Sequence, residues 1–491
     1  MARLGLALFV ATMLVMSVSG APQLGLLGGL LGTVLGTVNT VVTTLDSLVT
    51  KVVGYLFDPR KILIIMDGDV KAVIDSVADY STDIWTREYR TDNLANIIDA
   101  LKEHRDNTQD PILQILQAAG ITFKSHWITN TIEILDCPVE ILKQILQGVA
   151  TGRLVKQVIY DLIIELDPIQ TTADSANNTA AAGWGASKIQ ATNVWATGNT
   201  GQNVVVGTID TGVRRTHEAL VDNWVGAYGW YDPSQKTATP YDDNGHGTHT
   251  TATIAGKKGV GIAPGAKWMA CKGCGPTSCS LSLLTACAQF MMCPTDTNGN
   301  NCNPAKAPDV VSNSWGVGQG LTYFQSSLDA WAAARIIPVF SAGNSGANGC
   351  GSVVSPGDSA KAFSVGASDS GDNLGPFSSL GPAANGLVKP DFTAPGVSVR
   401  SAWNGNNTDY MSVSGTSMAA PHLAGTIALA LSARPGLCFD AVKSVLAGST
   451  TKSLPSTSKT CGGTSSSTYP NNQYGYGRLN ALNTVNAAAA Y

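Results

Sequence analysis

The chain is 491 residues long, which suits two to four domains at roughly 100–200 residues each. Hydrophobic residues make up 44% and charged residues 13%, too apolar and too lightly charged for a largely disordered chain. Lys and Arg number 31 against 35 Asp and Glu; the net charge is −4 with no basic run, so no nucleic-acid partner is expected.

The chain opens with a short basic start, Met1–Arg3, an apolar core, Leu4–Met16, and a small-residue exit at Val18-Ser19-Gly20. That is the pattern of a secretory signal peptide over residues 1–20, cut after Gly20. Residues 21–59 read as a low-complexity pre-segment of Leu, Gly, Thr and Val. A membrane anchor is the alternative there, because no charge lies between Arg3 and Asp46 and Gly28, Gly32 and Gly36 recur at every fourth position. The polar run from Thr37 to Thr44 weakens it, so no membrane partner is expected.

Residues 60–167 read as a separate small domain. Ile62–Met66 is a strand, Val70–Ala78 a helix, and Asn93–Ala119 a longer helix interrupted near Pro111. Strands at Phe123–Ile128 and Thr131–Leu135 follow, then an amphipathic helix over Pro138–Val149 and a strand at Val158–Leu166. The order is that of a ferredoxin-like α+β unit. Residues 168–182 are polar and nearly uncharged, as a linker would be.

From residue 183 to 491, β-branched runs alternate with helical ones. Strands are expected at Val204–Ile209, Asp309–Ser312, Ile336–Phe340 and Ala362–Val365. Helices are expected at Thr248–Ala255, Leu281–Met292, Thr322–Ala334, Met418–Ser432 and Asp440–Leu446. The alternation predicts an α/β fold with a parallel sheet, whose working groups gather beyond the carboxyl ends of the strands.

Three motifs stand at such places. Val204–Ile209 delivers Asp210 before Thr211-Gly212; Asn244–His249 sets His246 at a helix start; Gly415–Pro421 sets Ser417 at another. Singly, such an Asp is a turn residue and such a Ser an N-cap. Together an acid, a base and a hydroxyl are what acyl transfer requires, because the hydroxyl attacks only when an imidazole takes its proton. His249, one turn beyond His246, could make a metal pair, but no HExxH glutamate accompanies it; it reads as a packed structural histidine, as do His217 and His422.

Asp-Thr-Gly, His-Gly-Thr-His and Gly-Thr-Ser-Met-Ala-Ala-Pro, in that order, resemble the three signatures of the subtilisin-like serine proteases. The resemblance covers about residues 183–490 and implies Asp210 as orienting acid, His246 as general base and Ser417 as nucleophile. It implies that Asn344, in Ser341-Ala342-Gly343-Asn344, donates to the oxyanion, and that Ser314-Trp315-Gly316 pairs with an extended peptide substrate. Ser341, Ala342 and Gly343 would line the substrate site, and Val354 would narrow its primary specificity pocket. The unit ahead of the motifs resembles the family's inhibitory propeptide, so the implied protein is a secreted, self-processed zymogen. The alternative is a catalytically silent subtilase-fold module for binding or adhesion. No cofactor is required for the chemistry, and no metal ligands are assigned: a structural calcium is compatible with the family but lacks a ligand motif here. Of ten cysteines, Cys137 precedes the linker and nine come after it, so at least one of the nine has no partner among them. Six fall between Cys271 and Cys302, and a disulfide-stapled surface insertion is expected rather than a redox or zinc CxxC. Sequons at Asn177 and Asn406 are candidate glycosylation sites.

Overall fold

The computed structural model describes residues 57–491, apart from residues 82–83, most of 139–153, 167–169 and 173–182. The signal peptide, the pre-segment, most of the Pro138–Val149 helix and Asn177 therefore lie outside the described residues. The chain divides into two compact units.

The first unit contains residues up to Gly68, 106–125 and 130–163. Its strands are β1 (Phe57–Met66), β2 (Phe123–His126), β3 (Thr131–Leu135) and β4 (Val155–Glu165), in the spatial order β2-β3-β1-β4. β1 pairs antiparallel with both β3 and β4. Ile62, Ile64, Ile132, Ile134 and Val155 line one face and form its core with Ile112 and Leu116. The two helices before β2 are α1 (Val70–Val77) and α2 (Arg87–Ala118). Contrary to expectation, α2 runs unbroken through Pro111. Proline there removes one i→i−4 bond, but Leu101, Ile112 and Leu116 are buried on either side of it and hold the flanking turns.

The second unit joins residues 69–105 and 126–129 to 164–491, so the compact units do not divide at residue 167. Its strands are β5 (Gln170–Thr172), β6 (Val205–Asp210), β7 (Trp230–Tyr231), β8 (Lys267–Lys272), β9 (Ser278–Ser280), β10 (Val310–Asn313), β11 (Ile337–Ser341), β12 (Phe363–Ser368), β13 (Phe392–Pro395), β14 (Val399–Ala402) and β15 (Tyr410–Ser414). Seven of them form one parallel sheet in the order β13-β12-β11-β10-β6-β8-β7. The longer helices are α3 (His246–Ala255), α4 (Leu281–Met292), α5 (Gln325–Ala333), α6 (Thr416–Ala433), α7 (Phe439–Ser449) and α8 (Ala481–Ala490). The fold is the expected α/β class. Strands of a parallel sheet are covered on both faces, and β6, β10, β11, β12 and β13 are buried almost throughout.

Helix α6 packs on β10–β13 and on α3 and α8. It approaches closely because Gly425 faces Ile262: a methyl group at that α-carbon would meet Ile262 Cβ at 2.6 Å. Gly425→Ala gains about 1 kcal/mol of helix propensity and costs about 1–3 kcal/mol of overpacking against a branched carbon that cannot swing away. A lower denaturation midpoint is expected; an unchanged or higher one would show that Ile262 yields without cost.

Candidate active site

The carboxyl ends of the strands collect the candidate residues, as the parallel sheet requires. Asp210 ends β6, and the residue is only 4% exposed. It accepts from the Thr211 N–H at 2.7 Å and the Thr250 hydroxyl at 3.1 Å. His246 opens α3, and its Nδ1 lies 2.7 Å from Asp210 Oδ1. A neutral imidazole then donates from Nδ1 and presents Nε2 as acceptor, the tautomer a general base needs.

The helix can reach the aspartate turn because residue 247 is glycine. A side chain at Gly247 would meet the Gly212 carbonyl oxygen at 2.1 Å and Asp210 Cβ at 3.2 Å. No other residue lets His246 and Asp210 close to bonding distance from these two backbones.

Ser417 is the second residue of α6 and is half-buried. Its hydroxyl donates to the Ser314 carbonyl at 3.2 Å, and the Ser314 hydroxyl donates back to the Ser417 carbonyl at 2.9 Å. The start of a helix brings backbone N–H groups and the positive end of the dipole to that hydroxyl. Asn344 follows β11; its Oδ1 accepts from the Thr416 N–H and the Thr416 hydroxyl, both at 2.9 Å. An amide fixed by its oxygen turns its nitrogen the opposite way, away from Thr416.

The expected substrate segments are brought together, with one distinction. Trp315 is buried, donates from Nε1 to the Ile209 carbonyl at 3.0 Å and packs on Phe324 and Phe340. Its side chain serves the core rather than an open substrate surface. Val354 stands between Gly316 and Gly343: methyl groups there would meet its Cγ2 at 2.4 Å and its Cγ1 at 2.9 Å. Asn406 is exposed, and its Oδ1 accepts from both the N–H and the hydroxyl of Thr408.

Sequence reasoning passed over the group that ties the Asp210 and His246 motifs together. Asp242 accepts from Thr211 Oγ1, Asn244 N–H and Gly245 N–H on one oxygen and from Thr248 N–H and Oγ1 on the other. Thr211 Oγ1 in turn accepts from Gly247 N–H. An aspartate just ahead of a helix, with Asn-Gly soon after it, is a capping signal that could have marked it. Lys272 is the second: buried, it donates to the Thr211 carbonyl and to Asp243 and lies over the Tyr241 ring.

His249 and His422 are held inside the fold by backbone carbonyls. His249 Nε2 lies 2.9 Å from the Val399 carbonyl, and His422 Nδ1 lies 2.8 Å from that of Met418. Burial pushes each down to about 4. Four disulfides form: Cys271–Cys287, Cys274–Cys279, Cys293–Cys302 and Cys350–Cys461. Cys271 and Cys274 thus pair elsewhere rather than with each other, and Cys438 is the odd cysteine. Among the described residues no cluster of three or more His, Cys, Asp or Glu could hold a metal ion. No helix among them is long and apolar enough to cross a membrane.

The two buried histidines predict an acid sensitivity. Above the ordinary imidazole value of 6.5, both are neutral in the folded and unfolded chain. As pH falls below that, the unfolded chain takes up protons that the folded chain refuses until about 4, so stability falls. Each proton contributes up to about 1.4 kcal/mol per pH unit. His422→Asn keeps a donor for Met418 and is expected to make the fall in denaturation free energy between about pH 6.5 and 5 shallower by one proton. An unchanged slope would assign the uptake to other groups.

Comparison with known proteins agrees with this geometry. The Subtilase family model matches residues 201–477. Bacillopeptidase F of Bacillus subtilis (strain 168) is 32% identical over 418 residues, which is 80% of this chain and 28% of that protein. The present chain thus spans little more than a quarter of that relative. Serine protease AprX of the same organism is 32% identical over 324 residues, covering 58% of this chain and 67% of that protein. Subtilisin DY of Bacillus licheniformis is 34% identical over 278 residues, covering 55% of this chain and 91% of that protein. The chain belongs to the subtilase family of subtilisin-like serine proteases.

Proposed function

We propose that this chain is a secreted serine endopeptidase, made as a zymogen that processes itself. The observation that carries the reading is the 2.7 Å contact between buried Asp210 and His246, with Ser417 at the start of the helix packed on α3. Ser417 Oγ attacks the peptide carbonyl while His246 Nε2 takes its proton, and Asp210 stabilises the imidazolium. The Ser417 N–H and Asn344 Nδ2 receive the developing oxyanion. His246 then protonates the leaving amine, and water resolves the acyl-enzyme by the same steps in reverse.

The N-terminal region acts as an intramolecular inhibitor. Leu166 N–H donates to the Thr277 carbonyl at 2.9 Å, beside the Cys274 whose N–H binds the Asp210 carbonyl. Gln170 pairs with Ser414, three residues before Ser417. Extended backbone is thus held on both sides of the catalytic groups, as a peptide substrate would be. Four disulfides suit an oxidising, extracellular compartment, and exposed Asn406 suits glycosylation on a eukaryotic secretory route.

Wild type is expected to yield a mature chain beginning between residues 166 and 182, and to take up a fluorophosphonate at Ser417. Ser417→Ala is expected to stay full-length and to lose casein hydrolysis while keeping a cooperative thermal transition. Casein digestion by purified Ser417→Ala at the wild-type rate would remove the nucleophile assignment. Folded wild type that ignores the fluorophosphonate would support a silent binding module.

Val354 sets the side-chain preference. With its methyl groups filling the slot between Gly316 and Gly343, residues such as Ala or Ser are favoured on the acyl side of the scissile bond. Val354→Gly is expected to raise kcat/KM for Phe or Tyr there by about 10–100-fold, the scale of a few methylenes in an apolar pocket. Values for Ala should change little; a parallel change for Ala and Phe would place Val354 outside the pocket.

A further inference from the structure

The end of α5 is capped by residues that lie more than two hundred positions earlier. Its Ala330, Trp331 and Ala332 carbonyls accept from the N–H groups of Ala334, Ile336 and Arg335. The next two carbonyls find their donors in α2: Asn93 Nδ2 reaches Ala333 O at 3.1 Å, and Arg90 Nε reaches Ala334 O at 3.0 Å. The buried Arg90 guanidinium also bonds the Pro308 carbonyl and pairs with Asp309 Oδ1 at 3.0 Å. Asp309 uses its other oxygen to accept from Val205 N–H at the entry of β6. A reciprocal grip comes from Arg335. Its guanidinium lies 3.7 Å over the Trp85 ring and donates to Ser81 O and Gly436 O. Leu94, Ile97, Ile98 and Leu101, the apolar stripe of this half of α2, are all buried.

This attachment is at the amino end of the parallel strands. β6 runs from Val205 to Asp210, about 17 Å at 3.3 Å per residue, so the Arg90 grip is far from the catalytic groups. The tail contact, Leu166 on Thr277, is a separate one. We propose that residues 69–105 form a clamp that keeps the N-terminal segment on the peptidase after the linker is cut, independently of the tail in the cleft, with Arg90 as its main anchor. Two linked attachments hold far more tightly than either one alone. The tail decides whether the site is blocked; the clamp decides how long the segment stays. The proposal rests on the self-processing reading for its consequence, and on the Arg90 contacts for its existence.

The test uses the full chain. Self-processed wild type, Arg90→Ala and Arg90→Lys are passed through size exclusion over a dilution series, with fragment masses and peptidase activity followed. All three are expected to cut the linker at the same rate. The wild-type fragments should co-elute. In Arg90→Ala, dissociation and the rise in activity should occur at a protein concentration about 100-fold higher or more, the scale of removing one partner of a buried charge pair; Arg90→Lys should fall between. Co-elution of the Arg90→Ala fragments through the same dilutions as wild type would overturn the clamp. If no variant is cut, self-processing fails instead. Hydrogen exchange over residues 87–101 in uncut Ser417→Ala then decides the clamp: loss of protection on adding Arg90→Ala supports it, and unchanged protection overturns it.

Discussion

A buried carboxylate must be given donors, and the donors of Asp210 dictate how this site is assembled. Taking an ion out of water costs several kcal/mol even after the protein relaxes around it. At 4% exposure Asp210 draws an N–H from its own turn, a hydroxyl from Thr250 and the imidazole of His246. Two of these come from α3, so the helix must touch the aspartate turn, and residues 212 and 247 can be little but glycine. The contact then needs its own fastening. Asp242 supplies it by accepting five hydrogen bonds from both loops, and buried Lys272 balances the carboxylates gathered there. Each step answers an electrostatic cost created by the one before it.

The direction of the sheet separates two kinds of work. At the carboxyl ends lie Asp210, Ser314 and Asn344, each at or just beyond the end of a buried strand. At the amino ends Asp309 stitches β6 and β10 together and receives Arg90.

Much of this was legible in the residues because parallel strands leave a plain mark. Val204–Ile209 is β-branched at five of its six positions, so Asp210 directly after it must stand at a carboxyl end. Leu281–Met292 has a serine cap at Ser280, and the helix runs over those residues. Other features depend on distances that local pattern does not carry. Trp315 reads with Ser314 and Gly316 as part of a substrate-pairing segment, and only its Nε1 on the Ile209 carbonyl reveals that its side chain belongs to the core. Asp242 joins partners from position 211 to 248. The amphipathic stripe Leu94–Leu101 announces a helix without saying what Arg90 and Asn93 on that helix bind, and their partners, Pro308, Asp309, Ala333 and Ala334, are remote in sequence. Nine cysteines fix an odd one; only proximity chooses Cys438.

The disulfides answer a problem particular to a proteolytic fold. Such an enzyme meets active copies of itself, and cleavage of a folded chain depends on how often a segment opens. Cys274–Cys279 closes the loop whose Cys274 N–H holds the Asp210 carbonyl. Cys271–Cys287 joins β8 to α4. Cys350–Cys461, 111 residues apart, ties the loop after Asn344 to the distant C-terminal region. On the chain-entropy account a closure of that length contributes about 4–5 kcal/mol, comparable to the whole stability of a marginal domain. Cys274–Cys279 and Cys350–Cys461 border the loops at Asp210 and after Asn344, which lie beyond the ends of the buried strands and are not secured by the sheet. Where function forbids covering a loop, a covalent tie is the remaining way to keep it closed.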